Sequence, residues 1–272
     1  MCRAADAAAR RAELDARCPA HQISRTLRAA LLATLVATSL TLGCAGAPTR
    51  VVEPTVGDRV RTVELEGGRN VRDLGGLRGS RGFIPHERFY RSATLADATQ
   101  ADRDVLYARG VTLDIDLRTA LERDVHGDAL SHDPRFVYER IGLLGVGDWF
   151  HGLRGLYVHT LAHHQGAFRD VFHAMATHDG GVLYHCASGK DRTGMVTAIL
   201  LDLAGVDRAT IVRDYAISAY ELGSGQDASP PAAIGAFLDA LDGEYGGARG
   251  YLARIGLSAA DIRALLHKLG QL

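Results

Sequence analysis

Lysine is nearly missing from this chain: of 31 lysines and arginines, only Lys190 and Lys268 are lysine. The 31 cationic residues meet 32 acidic ones, for a net charge of −1. No basic excess is available to follow a nucleic-acid backbone, so nucleic acid is not an expected partner. Cysteine is sparse, with only Cys2, Cys18, Cys44 and Cys186, and no CxxC pair that would signal a zinc ribbon or a thioredoxin-type motif. Three of the four lie in the first 44 residues, so the rest of the chain holds one thiol and no structural disulfide. There is no HExxH motif. His159 and His163 stand four apart, but neither they nor His164, His173 and His178 have the carboxylate pairing of a metal site. They read as solvated or core-edge histidines, and no metal is expected. Internal repeats are absent, and the one biased tract is the alanine-rich stretch 4–12. What remains is ordinary for a globular protein, 47% hydrophobic and 23% charged, and long enough for one α/β domain with a sizeable core.

Charge is absent from residues 29–49, which follow Arg25 and Arg28. Leu31, Leu32, Leu35, Val36, Leu40 and Leu42 make an apolar stretch of signal-peptide length, followed by Gly43, Cys44, Ala45, Gly46 and Ala47. Gly43-Cys44 looks like a bacterial lipoprotein processing site, although Thr41 stands where leucine is favoured. Three readings remain open: a lipoprotein signal cut before Cys44, a secretory signal ending near Ala47, and an uncleaved anchor just long enough to span. Positive charge ahead of the segment keeps the N-terminus inside, so each reading exports residues 50–272. The expectation is a periplasmic or extracellular protein, tethered to the membrane through Cys44. Residues 1–47 are assigned to this signal or anchor, residues 48–59 (with Pro48, Pro54 and Gly57) to a linker, and residues 60–272 to the folded domain.

Within that domain, residues 60–65 alternate weakly and read as a strand. Asn70 to Leu74 sits between Gly67-Gly68 and Gly75-Gly76, on strand or loop. Residues 102–109 predict a helix stopped by Gly110. Val111, Leu113, Ile115 and Leu117 then predict a strand with Asp116 and Arg118 at its carboxyl end. Phe168, Val171, Phe172 and Met175 fall at helical spacing. Further helices are expected over 195–203, 211–222, 234–241 and 259–269, the last opened by Ser258 with Asp261. Residues 119–166, with Trp149, Phe150, Leu153, Leu156 and Tyr157 among glycines and histidines, give no clear element.

The stretch that carries chemistry is His185-Cys186-Ala187-Ser188-Gly189-Lys190-Asp191-Arg192-Thr193-Gly194. A short apolar strand (Val182, Leu183, Tyr184) precedes it and a helical run follows. A small-residue loop that opens a helix turns successive N–H groups toward one point, which suits an anion. Such a field also favours the thiolate of Cys186, the nucleophilic form. Arg192 supplies a planar fork for phosphoryl oxygens. Thr193 is placed to hydrogen-bond the sulfur. In a chain that otherwise uses arginine, Lys190 reads as a second contact to an anionic substrate, with a solvated loop charge as the alternative. Ligands of open α/β sheets bind at the carboxyl ends of strands, which sets Asp116 and Arg118 on the same edge as this loop.

The string resembles the C-x5-R signature of cysteine-dependent phosphatases. In its fuller form, HCxxGKDRTG, it is similar to the loop of bacterial atypical tyrosine phosphatases of dual or triple specificity, which include phosphoinositide phosphatases. Asn70-Val71-Arg72-Asp73-Leu74-Gly75-Gly76 matches the NxRDLGG element of that group, Phe89-Tyr90-Arg91-Ser92 with Leu95 its YRSxxL element, and Asp116-Leu117-Arg118 with Glu122 its DLRxxxE strand end. Tyr251-Leu252, Gly256-Leu257-Ser258 and Ile262 also fit. The resemblance covers residue 60 to the C-terminus. It implies a tyrosine-phosphatase-like α/β fold, with a central, mostly parallel sheet flanked by helices.

It also implies two-step phosphoryl transfer through a phosphocysteine on Cys186, without metal or organic cofactor. Ala187, Ser188, Gly189, Lys190, Arg192 and Thr193 would hold the phosphate, and His185 would order the loop. No WPD loop is present to supply the acid. The resemblance carries that role to Asp191, with a purely bracing role for Asp191, or Asp148 as the acid, as alternatives. Asp116 and Arg118 either bridge strand end to loop or form a structural salt bridge. The expected partners are a phosphorylated protein (phosphotyrosine, with phosphoserine and phosphothreonine as extensions) or a phosphoinositide. Two rival functions stand beside this one: a rhodanese-like sulfurtransferase, and a non-catalytic phosphate-binding module.

Overall fold

The computed structural model describes residues 51–144, 152–225 and 228–272. The signal segment with Cys44, and the alternative acid Asp148 with Trp149 and Phe150, lie outside the described residues. Five strands form one sheet in the order β1 (Arg72–Asp73), β2 (Phe89–Ser92), β5 (Gly181–His185), β3 (Val111–Asp116), β4 (Val137–Arg140). β2, β5, β3 and β4 are parallel neighbours and β1 adds antiparallel at the edge. The expected mostly parallel sheet is therefore present. β5 is buried along its whole length, as an apolar strand with parallel neighbours on both sides should be. Its residues alternate in the faces they serve. Val182 and Tyr184 join the larger core, with Phe168, Phe172, Ile199, Phe237 and Tyr251; Leu183 joins a smaller one, with Val71, Tyr90, Leu106 and Val111.

Register decides where the chemistry falls. His185 pairs with Ser92 of β2 on one side and with Asp116 of β3 on the other. Three strands thus end level, and Cys186 is the first residue beyond that edge. The chain then enters helix α6 (Asp191–Leu203), buried everywhere except at Asp202 and packed against β2, β5 and the helices behind the sheet. Its apolar run from Met195 to Leu201, broken only by Thr197, suits such a place.

In chain order the other helices are α1 (Val56–Arg61), α2 (Gln100–Ala108), α3 (Ala120–His126), α4 (Gly152–His163), α5 (Gln165–Thr177), α7 (Arg208–Glu221), α8 (Pro231–Tyr245), α9 (Gly247–Arg254) and α10 (Ala259–Lys268). Expected helices appear over α2, α5, α6, α7, α8 and α10. Two expectations fail at the N-terminal side. Residues 56–61, read as the end of a linker and the start of a strand, are helix α1. Thr55 and Asp58 close a capping box on it, and Arg61 anchors it by donating to the Asp73 carbonyl and to Asp214. Helix α1, held to Asp73 and Asp214, thus lies largely ahead of residue 60. The unassigned stretch 119–166 contains α3, β4 and α4, and α9 also went unread. No helix among the described residues is long and apolar enough to cross a membrane.

Candidate active site

Cys186 is 2% exposed and is followed by a loop whose carbonyls are all claimed from outside. The Thr94 N–H donates to the Ala187 carbonyl at 3.1 Å. Asn70 Nδ2 donates to the carbonyls of Ser188 and Gly189 at 3.0 and 3.2 Å, and Arg91 Nη2 donates to Gly189 at 2.8 Å. In a trans peptide the C=O and the next N–H point in opposite directions. Fixing these three carbonyls outward therefore turns the N–H groups of Ser188, Gly189 and Lys190 inward, toward the N-terminus of α6. Lys190, the N-cap of α6, makes no side-chain cap bond, so the first N–H groups of the helix add to the same cradle. Gly189 has φ +65°, and a Cβ there would stand 2.3 Å from the Ser92 carbonyl oxygen; only glycine allows this close approach.

Beneath the loop lies a buried charge frame. Asp214 of α7 meets Arg61 at 3.0 Å, Arg91 at 2.6 Å and Arg72 at 3.5 Å. Burial alone would raise the Asp214 carboxyl, but Arg72, Arg91 and Arg61 hold it far below the usual carboxylate range. Arg72 also donates to Asn70 Oδ1, which leaves the Asn70 amide free to face the loop. Asn70 itself sits at φ +55°, in the left-handed region that asparagine tolerates better than most residues. Asp73 holds the neighbouring turn by accepting from the N–H groups of Gly75 and Glu87 and by pairing with His86.

Arg192 is 4% exposed and does not present an empty fork. Its Nη1 and Nη2 each donate to Glu122 of α3 at 2.7 Å, a bidentate pair. The buried Nε keeps no partner and is the group left for a ligand. Burial works against the charge, but the Glu122 bond and the nearby Cys186, Glu122 and Asp191 outweigh it and hold the guanidinium above its ordinary range. Glu122, bonded to Arg192, is lowered to about 2. It was visible in the DLRxxxE segment but was not singled out as a site residue.

Asp191, in the first turn of α6, accepts from the Tyr157 hydroxyl of α4 at 2.5 Å, and Lys190 Nζ lies 3.5 Å from its other oxygen. Tyr157 in turn pairs with Tyr215 of α7 at 2.8 Å. Neither tyrosine was expected in the site. Thr193 Oγ1 is buried without a partner, so the expected bond to the cysteine sulfur is not formed here.

Asp116 and Arg118 form the buried bidentate salt bridge that was one of their two readings, and Tyr138 donates to the same carboxylate. Arg118 also reaches the loop at one remove: it donates to Thr94 Oγ1 at 2.9 Å, and the Thr94 N–H holds Ala187. His185 is wholly buried, with Nδ1 3.4 Å from the Cys186 carbonyl oxygen. Its Nε2 lies 3.4 Å from Asp114 and 3.3 Å from Asp128. Burial lowers the His185 imidazole against the pull of Asp116 and Asp128. Burial, with Asp128 and Asp116 beside it, raises Asp114 well above the usual carboxylate range. Among the described residues, Asp114, Asp128 and His185 are the one group whose ligand atoms converge closely enough to hold a cation. Both Asp114 oxygens and His185 Nε2 are buried without a hydrogen-bond partner. The rings of His159 and His163 on α4 meet at a tilt of 31°, with centroids 4.2 Å apart.

Comparison with known proteins finds similar chains. The model of the tyrosine phosphatase family matches residues 63–271. A tyrosine-protein phosphatase of Nostoc commune is 43% identical over 224 residues, which span 69% of this chain and 76% of that one. The triple specificity protein phosphatase PtpB of Mycobacterium tuberculosis is 59% identical over 34 residues, 12% of each chain. A crystal structure of TpbA from P. aeruginosa in complex with pTyr aligns with 54% of this chain and 86% of its own, at 20% identity and a TM-score of 0.27.

Proposed function

The chain belongs to the tyrosine phosphatase family and is a phosphatase, and from that premise we propose that it hydrolyses phosphate monoesters through a phosphocysteine on Cys186. One arrangement supports the mechanism: Cys186 directly follows β5, and the loop after it turns three N–H groups inward ahead of an uncapped helix N-terminus, with Arg192 Nε unpartnered. The Cys186 thiolate attacks phosphorus in line, and the P–O bond to the leaving group breaks. The loop amides and Arg192 stabilise the equatorial oxygens, preorganised donors that need not reorient during the reaction. Asp191 gives its proton to the leaving oxygen. It then takes one from water as that water attacks phosphorus and the P–S bond breaks, which restores the thiolate. Because Asp191 and Arg192 are adjacent, acid and clamp keep one spacing.

Phosphotyrosine is the leading substrate. Phosphoserine, phosphothreonine and phosphoinositides are proposed beside it, supported by the small side chains of Ala187 and Ser188 and by Lys190 at the rim. Export and a lipid tether at Cys44 are proposed from the N-terminal sequence. Phosphate release by the full chain, under reductant, from phosphotyrosine, phosphoserine and phosphothreonine peptides and a phosphoinositide panel tests the substrate range. Cys186→Ser is expected to abolish release on every substrate, and acid-quenched wild type to carry a phosphoryl group on Cys186. Release that survives the substitution refutes the mechanism. Thiosulfate:cyanide sulfur transfer in place of phosphate release would favour the sulfurtransferase.

A further inference from the structure

Asp191 has two carboxylate oxygens, and the protein treats them differently. Oδ1 accepts the Tyr157 hydroxyl at 2.5 Å, while Oδ2 faces Lys190 Nζ at 3.5 Å, on the side of the loop. Tyr157 and Tyr215 are 0% and 1% exposed. Their rings meet edge to face, 6.1 Å apart at 90°, and Tyr157 makes a similar contact with Phe237 at 6.5 Å and 89°. The phenol is therefore fixed in place. A tyrosine has one hydroxyl proton. Oδ1 accepts both when Asp191 is ionised and when its proton is on Oδ2, so the Tyr157 proton goes to Asp191 and Tyr215 must donate to Tyr157. Burial and the charges of Asp191 and Tyr215 push the Tyr157 hydroxyl well above its ordinary range, so it stays protonated and remains a donor.

Resting on the reading of Asp191 as the acid, we infer that Tyr157, backed by Tyr215, is a positioning residue that reserves Oδ2 of Asp191 for the transferred proton. With Oδ1 occupied by an incoming hydrogen bond, the proton resides on Oδ2, beside Lys190 and the mouth of the loop. In the first step that proton moves from Oδ2 to the departing oxygen as the P–O bond breaks, and the bond from Tyr157 stabilises the carboxylate left behind. In the second step Oδ2 takes the proton back from water. Without Tyr157 the carboxyl can rotate or carry its proton on the wrong oxygen.

The test separates proton donation from general damage by varying the leaving group. kcat/KM is measured for phenyl phosphate, whose phenolate needs a proton, and for 2,4-dinitrophenyl phosphate, whose leaving group needs none. General acids contribute about 100-fold or more to the step they assist. Asp191→Asn should therefore lose about that factor on phenyl phosphate and little on the dinitrophenyl ester. Tyr157→Phe keeps the ring packing and is expected to lose about 10- to 100-fold on phenyl phosphate and less than about twofold on the other. Equal loss on both esters, or loss on neither while Asp191→Asn remains selective, overturns the role of Tyr157. An unselective Asp191→Asn overturns the acid assignment instead. Should Tyr157→Phe fail to fold, Tyr215→Phe decides by the same ratio: selective loss supports the relay, and uniform loss or none refutes it.

Discussion

Replacing Glu122 with glutamine tests how Arg192 is held. Both Glu122 oxygens accept from Arg192 at 2.7 Å, and Oε2 also accepts from the Thr119 N–H and hydroxyl as part of the α3 cap. Glutamine keeps one acceptor oxygen, which in the place of Oε2 preserves the cap and one arm of the fork, while the arm to Oε1 is lost. Its amide would place N–H against N–H of Arg192. The Arg192 bond, against the opposing effect of burial, lowers Glu122 from 4.5 to about 2. At ~1.4 kcal/mol per unit, full conversion gives ~3 kcal/mol. Thr119 shares in that shift and the carboxylate is 31% exposed, so the Arg192 pair is reduced to ~1–2 kcal/mol.

The sign follows from a depressed folded value: the stabilisation is complete above about 4.5 and is lost as pH falls toward about 2. The pair is therefore intact at any ordinary assay pH and contributes no limb to the rate profile. Glu122→Gln is expected to lower Tm by about 2–6 °C. A clamp free to swing costs more in the transition state, and kcat/KM for a phosphotyrosine peptide should fall about 10- to 100-fold. Inhibition by inorganic phosphate should weaken in parallel. Removing Glu122 also frees the Arg192 charge, which by itself would strengthen anion binding. Tighter phosphate inhibition with undiminished kcat/KM would show that charge, not position, governs the site, and would refute the reasoning.

Gly189→Ala should cost more than 10-fold in kcat/KM and lower Tm, because both the positive φ and the Ser92 carbonyl at 2.3 Å oppose a Cβ; full activity would show that the loop can relocate. Asn70→Gly keeps the left-handed backbone while removing both donors to the loop carbonyls, so kcat should fall about tenfold with a loss of only ~1–2 kcal/mol in urea unfolding. Asp214→Asn strands three buried guanidiniums and should destabilise by ~3–5 kcal/mol in the same assay. Asp114 binds a proton in the folded chain that the unfolded chain releases above about 3.8, so its contribution is full below that pH and declines as pH rises. Asp114→Asn should raise the urea midpoint at about pH 8 and leave it unchanged at about pH 4.

What could be read in the sequence was whatever is contiguous. Cys186, Asp191 and Arg192 lie on one loop, and the order of small residues between a buried strand and a buried helix already places them side by side. The supports are separated from that loop by long stretches of chain: Asn70 by 118 residues from Ser188, Glu122 by 70 from Arg192, and Tyr157 by 34 from Asp191. No local pattern reports such pairings. Helix α4 was hidden because its buried side chains, Leu156, Tyr157, Thr160 and Leu161, sit among glycines and histidines that blur the apolar stripe. β4 was hidden because an edge strand with Val137 exposed and Glu139 and Arg140 in water has no apolar alternation to show. Helix α1 had a readable cap in Thr55 and Asp58, but Pro54 and Gly57 suggested a linker. Its stability comes from Arg61 and Asp214, which lie 153 residues apart.

In the proposed mechanism the group that attacks, the group that grips and the group that delivers the proton all fall within seven consecutive positions, 186 to 192. The proposed reaction centre is thus one short cassette of sequence. Its accuracy is not so portable. A cassette moved into a host lacking counterparts of Asn70, Glu122 and Tyr157 would arrive with its chemistry written out in full and nothing to hold it in shape.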